Sequence, residues 1–170
     1  MKVKIFILAT VSMMVLWSNG LLAEIAANQT VTIEIKDVKE KQEQGFVPMV
    51  IEDINKKEQP KTLYVSSASS LGLNDISNMR VYYESWTDKP ALEIIFNQNG
   101  QEKLKGYTEK HFNENFGVVI NGKLKSVSRI RSRIDTGRIS VGPKFTNLEL
   151  FDLLRNFFLI KEQHGQDKKK

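Results

Sequence analysis

Residues 108–146, TEKHFNENFGVVINGKLKSVSRIRSRIDTGRISVGPKFT, decide how the rest of the chain must fold. Val118, Val119 and Ile120 run into Asn121-Gly122 and then into Lys123-Leu124-Lys125. An Asn-Gly pair accepts positive φ at both central positions of a type I′ turn, so two strands are expected to pair across it. The segment opens at the end of one helix and closes at the start of another, which puts a hairpin between two helices. The returning arm breaks its own alternation: Leu124 has one parity, Val127 the other, and Ile130 and Ile134 resume the first. A bulge near Ser126-Val127 is therefore expected.

That arm also carries the densest positive charge. Lys123, Lys125, Arg129, Arg131, Arg133, Arg138 and Lys144 are accompanied by a single acid, Asp135. Strand alternation would space Arg129, Arg131 and Arg133 about 7 Å apart in a row, an arrangement suited to carboxylates or phosphates. An edge strand kept from aggregating by outward charge accounts for the same pattern. These seven residues are the candidate binding site.

Upstream of the hairpin, residues 30–36 alternate Val31, Ile33 and Ile35 with Thr32, Glu34 and Lys36, as a half-buried strand does. Residues 46–51 form a second strand, which Pro48 assigns to a sheet edge. A short strand at 62–66 precedes a serine-rich loop, and strands at 79–86 and 91–96 are joined by the turn-forming Thr87-Asp88-Lys89-Pro90. Asn97-Gln98-Asn99-Gly100 ends the β pattern, and helical spacing begins at Gln101. Downstream, Thr146 with Glu149 makes a capping box for a last helix. Leu150, Leu153, Leu154, Phe157, Phe158 and Ile160 form its buried arc, with Leu148, Phe151 and Leu159 at or beyond the margin. This order predicts an α+β domain over residues 30–160, with a mainly antiparallel sheet and two helices packed on one face. Residues 161–170 read as a disordered basic tail.

From Thr108 onward the chain resembles the periplasmic head (P1 head) of SecD, a membrane component of bacterial protein export. The resemblance rests on Thr108, His111, Asn113, the strand 116–120, Asn121-Gly122-Lys123 and Ser126-Val127-Ser128. His111 replaces the family's Asn, Asn113 its Gly and Ser128 its Pro. Upstream it includes Leu63-Tyr64-Val65, Leu73-Asn74-Asp75-Ile76, the strand 92–96 and Gly100; downstream, Ile134, Gly137, Phe145-Thr146 and Leu153-Leu154. It implies the same α+β architecture and a module that handles polypeptide near the translocation channel.

The 170 residues suffice for one domain, and a net charge of +5 is too mild to indicate nucleic-acid binding by itself. Residues 1–23 read as a secretory signal, with Lys2 and Lys4 before an apolar run, cut near Gly20 or Ala23 or retained as an N-terminal anchor. The expected location is periplasmic or secreted. The apolar run is shorter than the roughly 20 residues that span a bilayer, and no later stretch qualifies. With no cysteine, neither a disulfide framework nor a lipoprotein anchor is available.

Catalytic signals are weak. The serines at 67–70 lack a nucleophile-elbow motif, and Gly100 and Gly106 lack the rest of a phosphate-binding loop. Glu52-Asp53 would point to opposite faces of a strand. His111 and His164 are the only histidines, so no metal site, cofactor or catalytic residue is expected. His111 reads as a helix C-terminal residue near free carbonyls. The expectation is thus an exported, non-enzymatic module that binds a protein partner, an unfolded exported polypeptide or translocon components. The alternative is a surface protein whose basic hairpin holds lipid headgroups, acidic glycans or nucleic acid.

Overall fold

The computed structural model describes residues 31–51, 59–85, 87–142 and 145–167. The leader read at 1–23, together with Trp86, Lys144 and the lysines at 168–170, lies outside the described residues. The order is β1 (Ile33–Lys39), β2 (Phe46–Ile51), β3 (Lys61–Ser66), a 3-10 turn (Leu73–Asp75), β4 (Ile76–Glu84), β5 (Lys89–Phe96), α1 (Gln98–Lys110), β6 (Asn115–Ile120), β7 (Lys123–Arg129), β8 (Arg138–Val141) and α2 (Asn147–Asp167).

The fold is α+β with antiparallel pairing, but the strands form two sheets where the sequence suggested one. Five strands follow the order β2-β3-β1-β6-β7, and three follow β4-β5-β8. The four residues of β8 are too few for their alternation to stand out in sequence, yet they pair with β5 from Leu92↔Val141 to Ile95↔Arg138. β2 lies at an edge, as Pro48 requires, and its residues approach those of β7, the opposite edge. The larger sheet therefore curls.

The curl explains two apolar clusters. Ile33 and Ile35 of β1 and Phe116, Val118 and Ile120 of β6 enter the main core with Leu92, Ile94, Leu104, Leu153 and Phe157 from the other sheet and both helices. The opposite face of the same two strands contributes Val38 and Val119 to a smaller cluster with Leu63, Val65 and Leu124. Full burial of one such side chain is worth about 1.5–3 kcal/mol. The bulge in β7 lets it serve the smaller cluster twice: Leu124 pairs with Val119 and Ser126 with Val118, leaving Lys125 as the extra residue. The irregularity thus sits one residue before the expected position, and it brings Leu124 and Val127 to one face.

Asn121 and Gly122 have φ of 49° and 73°, the left-handed values that a type I′ turn needs. Asn121 also accepts from the Thr32 amide through Oδ1 at 3.0 Å and donates its own amide to the Thr32 carbonyl at 2.9 Å. The turn is thereby fastened to the residue that precedes β1.

Helix α1 starts at Gln98, three residues earlier than helical spacing suggested, because Asn97 accepts from the Gly100 amide at 2.9 Å as an N-cap. The adjoining 3-10 turn is held by buried Asp75, whose carboxylate accepts from the Gly72 amide at 3.0 Å and from Lys103 at 2.7 Å. Gly100 packs so closely on this turn that a Cβ would lie 2.2 Å from the Asp75 carbonyl oxygen. Thr108, also buried, accepts from the Ile134 amide at 3.0 Å and fixes the segment between β7 and β8.

At the C-terminus, α2 continues to Asp167 where a disordered tail from residue 161 was expected. Phe158, assigned to the core from its spacing, is instead 44% exposed. Its position borders the buried arc of Leu150, Leu153 and Phe157, and the helix turns it outward.

Two substitutions test the backbone argument. Gly100→Ala should cost about 3 kcal/mol, since the obstacle is backbone rather than a yielding side chain. Gly122→Val should cost about 1–3 kcal/mol through turn strain. Urea unfolding measures both, and unchanged midpoints would contradict the close approach and the turn assignment.

Candidate functional site: the groove between the hairpin and α2

The turn end of β6–β7 stands beside the start of α2, and a groove of about 250 Å³ lies between them. Phe145 and Leu153 supply its apolar surface, while Asn121, Lys123, Lys125, Glu149, Asp152 and Asn156 supply polar groups of both signs. The capping box places the acid: the Thr146 amide donates to Glu149 Oε2 at 2.8 Å, and the Glu149 amide donates to Thr146 Oγ1 at 3.2 Å. Lys125, projected from the bulge, reaches Glu149 Oε1 at 2.9 Å and lies 5.0 Å from the Phe145 ring centroid. The Thr146 amide, followed by Lys125, holds the Glu149 carboxyl below its usual range against a smaller opposing effect of burial.

The seven sequence-selected basic residues do not form one surface. Lys123 and Lys125 line the groove, while Lys144 lies outside the described residues. β7 ends at Arg129, so Arg131 and Arg133 are off the strand and the expected three-arginine row does not exist. Ile130 enters the core, as alternation would place it, with its amide donating to the Glu114 carbonyl at 2.9 Å, but the chain has left the strand by then. Arg129 donates to the Asn113 carbonyl at 3.0 Å, Arg133 pairs with Asp135 at 2.9 Å, and Arg138 lies 4.0 Å from Glu93. Arg131 is exposed.

Sequence reasoning missed a second constellation at the other end of the β1–β6 pair. His111, the C-cap of α1, sets Nδ1 2.8 Å from Glu114 Oε2 and 3.7 Å from Asp37 Oδ1. The Tyr107 hydroxyl donates to Asp37 at 2.5 Å, and its ring stacks on His111 with centroids 4.6 Å apart. Burial, then the Asp37 hydrogen bond and charge, push the Tyr107 pKa up, so the phenol remains a donor. Asp37 is distant in sequence from the others, and only the pairing of Asp37 with Phe116 and Val38 with Asn115 brings it there. The expected contact of His111 with free carbonyls is replaced by contacts to carboxylates.

The family model for the SecDF P1 head subdomain matches residues 49–154. The chain belongs to this family. The protein translocase subunit SecD of Magnetococcus marinus is 26% identical over 137 residues, covering 74% of this chain and 26% of that relative. The chain thus spans about a quarter of the curated relative's length. A solved structure of SecDF, a membrane component that enhances protein export, superposes with a TM-score of 0.59 at 13% identity, covering 82% of this chain and 67% of the other. SecDF in a super-membrane-facing form gives 0.58 at 14% identity over 79% of this chain and 20% of that one. These structures share the fold.

The P1 head residues noted in sequence act mainly as fold latches: Asp75 on α1, Gly100 on the 3-10 turn, and Thr108 on Ile134. Asn113, in the family's glycine position, has φ of 66°, which Asn tolerates better than most side chains.

The depressed Glu149 pKa fixes the sign of an acid effect. Its stabilisation is present above the ordinary carboxylate value of 4.5 and is lost as pH falls through the lower folded value. Melting temperatures measured from pH 6 to pH 2 should fall less steeply for Glu149→Gln than for the wild type. Identical slopes would contradict the capping and Lys125 contacts.

Proposed function

We propose that this P1 head is a non-enzymatic, exported binding module that assists protein translocation by contacting extended polypeptide in the groove between the β6–β7 turn and α2. The observation that carries the proposal is the mixed character of the groove: apolar Phe145 and Leu153 adjoin two ammonium groups, two carboxylates and two side-chain amides. Such a surface supports sequence-tolerant binding, with apolar contacts supplying affinity and amides satisfying main-chain groups. By helical spacing, exposed Leu148 lies one turn from Asp152 and exposed Leu159 one turn from Asn156 on α2, so the groove opens onto further apolar surface. Membership of a family named for SecDF, and a relative named as a translocase subunit, support the link to export. Among the described residues, no helix is long and apolar enough to cross a membrane, so coupling to any membrane event would act through partners or through chain outside those residues. The anion-binding alternative rested on a basic row, and that row is divided among separate contacts.

Fluorescence anisotropy with a labelled, permanently unfolded polypeptide tests the proposal on the full chain. Lys123→Glu and Asn156→Arg should each weaken binding about tenfold, while Arg131→Ala should leave it unchanged. Affinity indifferent to the groove variants would overturn this reading. Steep loss of binding with salt together with sensitivity to Arg131→Ala would return the anion reading.

A further inference from the structure

The cluster at the far end of β1–β6 has a donor set that the polypeptide-binding proposal does not use. Asp37, His111 and Glu114 each offer one ligand atom, and all three atoms lie within 4.8 Å of one another. A tetrahedral zinc ion with ligand bonds of about 2.0–2.1 Å sets its donors roughly 3.3 Å apart. The measured separations of 2.8 Å for His111–Glu114 and 3.7 Å for His111–Asp37 bracket that value.

The donors are held by three different parts of the fold. Asp37 belongs to β1, His111 caps α1, and Glu114 immediately precedes β6, with its amide donating to the His111 carbonyl at 3.0 Å. Independent support comes from Tyr107. Its hydroxyl fixes the Asp37 carboxylate while its ring fixes the imidazole plane, the outer-shell arrangement that orients metal ligands. An isolated surface ion pair needs neither restraint. His111 and Asp37 are only partly exposed, whereas Glu114 is open to solvent, so a fourth position remains accessible to water or another ligand. The nearby Lys39 ammonium is engaged by Glu43.

We propose that Asp37, His111 and Glu114 form a binding site for a divalent transition-metal ion of the zinc type, with Tyr107 as a positioning residue. One imidazole nitrogen and two carboxylates suit a borderline cation better than magnesium or calcium, which prefer an all-oxygen shell. Bound metal would tie β1, the C-terminus of α1 and the start of β6 together at a point where side-chain contacts join them already.

Zinc ion alone, titrated calorimetrically into the metal-free full chain, tests the site. The expected result is one equivalent bound, at least tenfold more weakly in His111→Ala and Glu114→Gln, and about tenfold more weakly in Tyr107→Phe. His164→Ala should bind as the wild type does. Because Glu114 is exposed, Glu114→Gln keeps the test decisive if a change at His111 or Tyr107 impairs folding. Absence of binding in the wild type, binding unchanged by Glu114→Gln, or loss in His164→Ala would overturn the proposal.

Discussion

The pairing of β1 with β6 is the constraint on which the structure depends. Six consecutive residue pairs, from Ile33↔Ile120 to Val38↔Asn115, place two strands far apart in sequence at the middle of the larger sheet. Their two faces serve different apolar clusters, so a one-residue slip would send the residues of each cluster to the wrong side. The same ladder joins the two candidate sites. At one end Asn121 is fastened to Thr32 and supports the groove; at the other, Asp37 is carried to His111 and Glu114.

The local parts of this arrangement were legible in the sequence because their causes are local. Asn121-Gly122 forms its turn, Thr146 and Glu149 form their capping box, and Pro48 lies on an edge strand. The irregular arm was detectable because Leu124 and Val127 differ in parity, although parity alone did not identify Lys125 as the extra residue. The separation into two sheets was hidden because β8 is short and its partner β5 is distant. Family resemblance supplied the architecture, and its shared residues are explained largely by contacts between elements.

The candidate site was less legible. A count of basic residues cannot show that the strand ends at Arg129, or that Arg133 is committed to Asp135. Lys123 and Lys125 remain in the groove, joined by Phe145, Leu153 and Asn156, whose approach to the hairpin depends on how the last helix packs. The Asp37 cluster was invisible for the same reason: two histidines in the chain suggest no metal site until long-range pairing assembles the carboxylates around one of them.

The central functional claim is that the turn end of the β1–β6 ladder is where polypeptide is received. Amide chemical-shift mapping with an isotope-labelled full chain and an unlabelled extended peptide tests it directly. Shifts concentrated at Asn121, Lys123, Lys125, Glu149 and Asn156, with little change at Asp37 and Glu114, are the predicted result. Shifts confined to the exposed edge of β4 or to the His111 end, with the groove unperturbed, would contradict the account.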